Sequence, residues 1–255
     1  MSAAVQLNFD NLPLVEAAIR TSFRTPVRLS FAILNRLRDN LGREFQNLEE
    51  VSQIEVPPGV NMEMKLTVGQ IHGAILTGNS SGLRTTVQQS VVVSRWALDP
   101  LRDSPGYPRF GPLRDSHWRV VSGLLEAGGA QNQQFGAVNM SYSNFLNIGG
   151  SPDVLERYFS PNAQVALVKS PSQFHKIELA WQESSSIDLR FQLERVRARI
   201  GDQTNDGYNL TTVAGSAAAS KPDAEEKLDT VHGRLQQFFV DLISDTAKKE
   251  WGLRA

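Results

Sequence analysis

The chain of 255 residues contains no cysteine. That absence removes disulfides, thiolate metal sites and cysteine nucleophiles together, and it fits a reducing compartment. Long apolar runs are missing too. No segment approaches the ~18 residues of a membrane-spanning helix, and the opening MSAAVQLNFDNLP has no basic patch leading into an apolar run. The expectation is a cytoplasmic protein with no membrane partner. Neither sign of charge dominates, since 26 Lys and Arg face 27 Asp and Glu, so attraction to a polyanion would need a local patch.

Catalytic signatures are equally sparse. The four histidines, His72, His117, His175 and His232, form no H-x-x-x-H or H-E-x-x-H pair, and the G-x-S-x-G spacing occurs once, at Gly78-Asn79-Ser80-Ser81-Gly82, between two β-like runs and not at the strand-to-helix turn of a nucleophile elbow. Gly78-Asn79-Ser80-Ser81-Gly82 superficially resembles a phosphate loop, but it lacks the following lysine and joins two β-like runs, as a hairpin turn does. Asp223, Glu225 and Glu226 sit at the start of a helical pattern, where carboxylates complement the helix dipole. No metal and no cofactor is expected. Catalysis, if any, would draw on dispersed residues such as His72 or His117, in a hydrolase or nuclease.

What is present is mostly strand. VNMEMKLTV (60–68) alternates strictly, with Val60, Met62, Met64, Leu66 and Val68 on one parity and Asn61, Glu63, Lys65 and Thr67 on the other, the mark of a half-buried strand. The patterning predicts a strand over 13–23, a helix over 29–45 with Ile33, Leu34, Leu37, Leu41 and Phe45 in one stripe, and strands over 51–56, 60–68, 71–77 and 83–96. A helix over 113–128 follows, stopped by Gly128-Gly129. A similar order then recurs: a strand over 135–148, a short helix over 151–159 opened by Ser151-Pro152, and strands over 163–168, 174–181, 187–198 and 208–215. In the third of these, Ile187, Leu189, Phe191 and Leu193 point in, while Asp188, Arg190 and Gln192 point out. A long C-terminal helix closes the chain, capped by Ser220, started by Pro222 and striped by Leu228, Val231, Leu235, Phe238 and Leu242.

The expected class is α+β, with antiparallel sheets packed by helices. Two β-α-β4-α units, residues 1–130 and 131–255, would make an internal duplication whose order resembles the saddle of TATA-binding-type folds. One irregular α+β domain without symmetry is the alternative.

Basic and aromatic residues supply the candidate contacts. Arg84, Arg95, Arg102, Arg109 and Arg114 are interleaved with Trp96, Tyr107 and Phe110, and Arg190 lies on a long strand with Arg195, Arg197 and Arg199. Such a set could stack bases and neutralise phosphates, or it could be a solvated rim. Glu63, Asp188 and Glu194 on the same wet faces oppose a polyanion.

The stretch 83–113, LRTTVQQSVVVSRWALDPLRDSPGYPRFGPL, resembles the signature region of a sporadically distributed, uncharacterised family of bacterial proteins of about this length. The carriers are Val87-Gln88, Trp96 and Tyr107-Pro108-Arg109-Phe110, with PLVEAAIRTSF similar to that family's opening strand and FFVDLISDTAKKEWG to its closing helix. Ser90 and Val91 depart from the charged residue and arginine common after Val-Gln. The resemblance implies a horizontally exchanged bacterial protein set beside toxin–antitoxin or defence genes, and it brings no catalytic residue. The leading expectation is a non-enzymatic binding protein whose sheet surface and Pro/Gly-rich loop 99–112 engage a protein partner, with Gln88, Arg95, Trp96, Tyr107, Arg109, Phe110 and Arg190 as contact candidates. A nucleic-acid binder is the second.

Overall fold

The computed structural model describes residues 8–9, 11–42, 45–51, 73–78, 83–98, 106–147, 154–163, 176–184, 186–200 and 203–254, apart from Asp10. The alternating segment 60–68 lies outside them.

The chain is α+β. Its strands are β1 (Asn8–Phe9), β2 (Leu14–Phe23), β3 (Phe45–Val51), β4 (Gly73–Gly78), β5 (Leu83–Gln88), β6 (Val91–Ala97), β7 (Phe135–Asn147), β8 (Lys176–Ser184), β9 (Ile187–Ile200), β10 (Gln203–Ala217) and β11 (Leu253–Arg254). Helices are α1 (Phe31–Leu41), α2 (Phe110–Ala127), α3 (Val154–Tyr158), α4 (Lys221–Leu242) and α5 (Asp245–Glu250). Nine strands form one sheet in the order β3-β4-β5-β6-β2-β7-β10-β9-β8, every neighbouring pair antiparallel, and β1 pairs with β11 apart from it. At the middle β2 pairs with β7, Ala18 opposite Ser141 and Ile19 opposite Met140.

Period-2 patterning gives this sheet two unlike faces. One carries Ala17, Ile19, Thr21, Val92, Ser94, Trp96, Val138, Met140, Leu189, Phe191 and Leu210, all buried. On that side α2 lies over β6 and β2, α4 over β7 and β10, and α1 packs on α2. A larger core, which includes Leu37, Val121 and Leu124, fills the space under α1 and α2 and reaches the first turns of α4. A smaller one gathers Phe159, Phe191, Leu193, Phe239, Ile243 and Trp251. In it the Trp251 ring stacks on Tyr158 and Phe239, with centroids 5.5 and 6.0 Å apart.

Helix boundaries follow capping chemistry. Ser30 Oγ accepts the Ile33 N–H at 3.3 Å to start α1, and the chain leaves it through Gly42, whose φ of +63° suits a residue without a Cβ. The stripe therefore ends at Leu41, and Phe45, expected to extend it, is instead the buried first residue of β3. β3 thus occupies Phe45–Val51, and residues 52–56 of the strand expected over 51–56 lie outside the described residues. At the other end Ser220 Oγ accepts the Asp223 N–H, and Asp223 Oδ2 accepts the Ala219 N–H at 2.7 Å, a reciprocal cap. Phe239, not Phe238, completes the buried stripe of α4, and the helix stops at Ile243-Ser244 before α5 begins.

Other expectations change in detail. The single strand expected over 83–96 is a hairpin, β5 turning through Gln89-Ser90 into β6. Val87 and Val91 consequently face opposite sides. Between the strands expected over 187–198 and 208–215 the ladder continues, since Asn205, Asp206 and Gly207 pair with Ala198, Arg197 and Val196, while 201–202 lie outside the described residues. Ala163, expected to open a strand, belongs to a helical turn, while 164–175 and the Ser151-Pro152 helix start lie outside the described residues.

Leu124 is fully buried at the centre of the larger core. Its replacement by alanine should cost about 2–5 kcal/mol in urea unfolding. Leu98→Ala, at a site 45% exposed, should stay within about 0.5 kcal/mol of wild type.

Candidate functional site

Opposite the helices, the second face of the sheet is not covered by any described element. Register places its side chains. On the five central strands it presents Arg84, Thr86 and Gln88 from β5; Val91, Val93, Arg95 and Ala97 from β6; Glu16, Ala18, Arg20 and Ser22 from β2; Ala137, Asn139, Ser141, Ser143 and Phe145 from β7; and Asn209, Thr211, Val213, Gly215 and Ala217 from β10. Outer strands add Glu49 from β3, Ile75 and Thr77 from β4, Asp188, Arg190, Gln192 and Glu194 from β9, and Lys176, Glu178 and Gln182 from β8.

Two glycines of β10 let larger neighbours lie flat on this face. The Phe145 ring sits over Gly207, and the Asn139 amide lies against Gly215, so a Cβ at either position would collide with it. Ser143 Oγ and Thr211 Oγ1 bond across the strands at 3.0 Å. Arg95 Nε meets Glu16 Oε2 at 2.9 Å, and Lys176 Nζ meets Glu178 Oε2 at 3.2 Å. Basic and acidic residues balance here among the described residues: Arg20, Arg84, Arg95, Lys176 and Arg190 against Glu16, Glu49, Glu178, Asp188 and Glu194.

The contact candidates from the sequence divide between the two sides. Gln88, Arg95 and Arg190 are exposed on the uncovered face. Trp96 is buried under the helices, its ring 5.4 Å from Tyr107. The Tyr107 hydroxyl lies 3.5 Å from that of Tyr142, and burial pushes the Tyr107 pKa up to about 12. Phe110 stacks on His232 with centroids 3.7 Å apart, and Arg114 of the same helix covers its ring. Trp96, Tyr107 and Phe110 thus join Tyr142 and His232 in an aromatic layer between sheet and helices. Arg109, exposed at φ 73°, opens α2 on that same side. Arg84 and Arg95 are therefore separated from these aromatics by the thickness of the sheet, whereas Arg109 and Arg114 share their side. Of the Pro/Gly-rich loop, residues 99–105 lie outside the described residues.

His117 is fully buried. Its Nε2 lies 2.8 Å from Thr21 Oγ1 on β2 and its Nδ1 3.0 Å from Ser94 Oγ on β6, and Ser94 in turn bonds Thr85 Oγ1 on β5 at 2.9 Å. Both ring nitrogens are occupied in a place that gives a substrate no access, and the same burial lowers the imidazole pKa to about 3. Burial likewise lowers His232 to about 4, opposed by the carboxylate of Asp229. His72 and His175 lie outside the described residues.

A groove of about 670 Å³ runs between the helices on the far side, lined by Arg114, Asp115, Glu126, Glu226 and Asp229 among others. Arg114 is spent there on Asp115 and Asp229. Among the described residues, no group of three or more His, Asp or Glu side chains could hold a metal ion, and no helix is long and apolar enough to cross a membrane.

Sequence reasoning missed Glu16, Arg20, Asn139, Ser141 and Val213, which occupy the middle of the uncovered face. Their signal was present as parity: in β2, Glu16, Ala18, Arg20 and Ser22 alternate with the buried Ala17, Ile19, Thr21 and Phe23. No protein-family model matches the chain, and no curated protein matches it. The family resemblance around residues 83–113 is thus left resting on its short motifs alone.

Both buried histidines are neutral in the fold and regain an ordinary pKa near 6.5 on unfolding. Below 6.5 the unfolded chain binds the extra protons, so stability is complete above that pH and falls as pH drops toward 4 and 3. Urea titrations at about pH 7.5 and about pH 5 should show this loss, and His232→Gln should reduce it by removing one of the two groups.

Proposed function

We propose that this chain is a non-enzymatic binding protein that engages a protein partner through the uncovered face of its sheet. The observation that carries the proposal is the makeup of that face: a broad surface with balanced charge and small or half-buried side chains at its centre. A mixed-charge surface suits a protein, whose own surface is mixed, better than a uniform polyanion. Base stacking has little to work with there, because Phe145 is the one aromatic residue of that face among the described residues, while Trp96, Tyr107 and Phe110 belong to the opposite layer. The enclosure of His117 likewise favours binding over hydrolysis.

The fold itself we read as two β-α-β4-α units, 1–130 and 131–255, in an order like that of TATA-binding-type proteins. Support comes from strand order: outward from the central pair, β2 is followed by β6, β5, β4 and β3, and β7 by β10, β9 and β8. In each half the strand next to the centre is the last of its half and leads into a long helix, α2 or α4. A cytoplasmic place beside bacterial defence or toxin–antitoxin genes, implied by the family resemblance, belongs to the same proposal.

The test is affinity purification of the tagged chain from its native host, with and without nuclease, beside a Ser141→Arg variant. Ser141 faces Ala18 and Val213, away from the helices, so the substitution should leave stability within about 0.5 kcal/mol. A stoichiometric protein should survive nuclease and be lost by about tenfold or more in the variant. Co-purifying nucleic acid without protein, or a partner held equally by the variant, would overturn the proposal.

A further inference from the structure

Building on the partner-binding reading, we infer that the occupant of the uncovered face is an acidic α-helix of the partner, laid along β7 and β10. Three observations lead there. First, backbone N–H and C=O groups of the central strands are already spent on their neighbours, β7 on β2 and β10, and β10 on β7 and β9. An extended segment gains its affinity by adding to a free edge, which the middle of a sheet does not offer. A segment resting there must satisfy its own backbone, which a helix does.

Second, the space fits. On this face β7 and β10 carry no charged side chain, presenting Ala137, Asn139, Ser141 and Ser143 beside Thr211, Val213, Gly215 and Ala217. Longer side chains rise on the flanking strands, Arg20 and Glu16 on β2 and Asp188, Arg190, Gln192 and Glu194 on β9. Three strand spacings separate β2 from β9, about 14 Å, against a helix diameter of about 10–12 Å with side chains.

Third, charge is unevenly spread. On β5, β6, β2, β7 and β10 the charged side chains of this face are Arg84, Arg95, Arg20 and Glu16, and Glu16 is engaged by Arg95. Arg84 stands directly opposite Arg95 in register, and the carboxylate beside them, Glu16, is taken by Arg95. Neither the Arg20 nor the Arg84 side chain makes a hydrogen bond or ion pair among the described residues. Glu49 and Glu178 lie on the outer strands β3 and β8, while Asp188 and Glu194 stand on the β9 flank. A helix acidic along the flank nearest β2, and not along the one nearest β9, would meet Arg20 and face the field of Arg84 two strands further out, and guanidinium forks bind carboxylates well.

The experiment places the photoreactive p-benzoylphenylalanine at Val213 in the full chain, irradiates it in native-host lysate and sequences the crosslinked segment by mass spectrometry. The expected segment has helical periodicity with Asp and Glu gathered on one flank. Its yield should fall about tenfold or more in Arg20→Glu/Arg84→Glu and be kept within about threefold in Arg20→Lys/Arg84→Lys. A basic or neutral segment, a second copy of this chain, nucleic acid or no crosslink would overturn the inference, as would a yield indifferent to charge reversal. If Ser141→Arg releases the partner while Arg20→Glu/Arg84→Glu keeps it, the acidic helix is wrong and partner binding stands. If neither variant releases it, both fall.

Discussion

The antiparallel pairing of β2 with β7 is the contact on which the rest of this molecule depends. It runs from Leu14 opposite Asn144 to Phe23 opposite Phe135, with irregularities near each end. Strands on one side of that seam come from residues before 100 and those on the other, beginning with β7 itself, from residues after 130. Without it each group would be a smaller sheet with a bare long edge, the form that invites unwanted pairing. With it, Ala17, Ile19 and Thr21 align with Tyr142, Met140 and Val138, and one buried surface continues from β5 to β9. A slip of one residue would turn all of these outward and bring Glu16, Arg20 and Asn139 under the helices. Register at this seam therefore decides which side is core and which is surface.

Helices reinforce that register with polar as well as apolar contacts. His117 on α2 reaches Thr21 and Ser94 on neighbouring strands, so one side chain ties a helix to both β2 and β6. Hydrogen bonds satisfied in a buried place are directional in a way that hydrophobic burial is not. Across the helix layer, Phe110 of α2 stacks on His232 of α4 and Arg114 pairs with Asp229. Arg114–Asp229 is an exposed pair of small energetic value. The stacked rings are largely buried, and they bridge the helices that cover opposite sides of the β2–β7 seam.

Legibility in the sequence followed locality. β9 was legible because its alternation is a local property, β2 and β7 because their apolar and strand-favouring content is local too, and α4 because Ser220, Pro222 and Asp223 mark its start within four residues. The Gln89-Ser90 turn was not. It has neither Gly nor Asn, and its carbonyls are held from outside: Ser90 O accepts from Phe23 N–H at 2.9 Å and Gln89 O from Val27 N–H at 2.7 Å. No window confined to residues 83–96 contains that information. β3 was not anticipated for a related reason, since Phe45 falls on the helical stripe although Gly42, at a φ of +63°, ends the helix before it. The candidate site was half legible. Gln88, Arg95 and Arg190 were singled out by type, but the same reasoning grouped Arg95 with Trp96, and adjacent residues of a strand must face opposite sides.

That separation also bears on what the surface can recognise. Arg95 is held by Glu16 from the adjoining strand, at 2.9 Å, and points away from the ring of Trp96 beside it in the chain. Had arginine and tryptophan shared a face, cation–π and stacking contacts would have favoured a flat, anionic, aromatic ligand. Their division leaves an uncovered face that can offer charge and shape but little stacking. Chemistry of that kind discriminates by where an opposing charge falls, as protein surfaces do when they meet. Arg20 and Arg84, the side chains proposed to decide it, stand on β2 and β5, so the β2–β7 register that builds the core also sets the distance between those arginines and the small residues of β7 and β10.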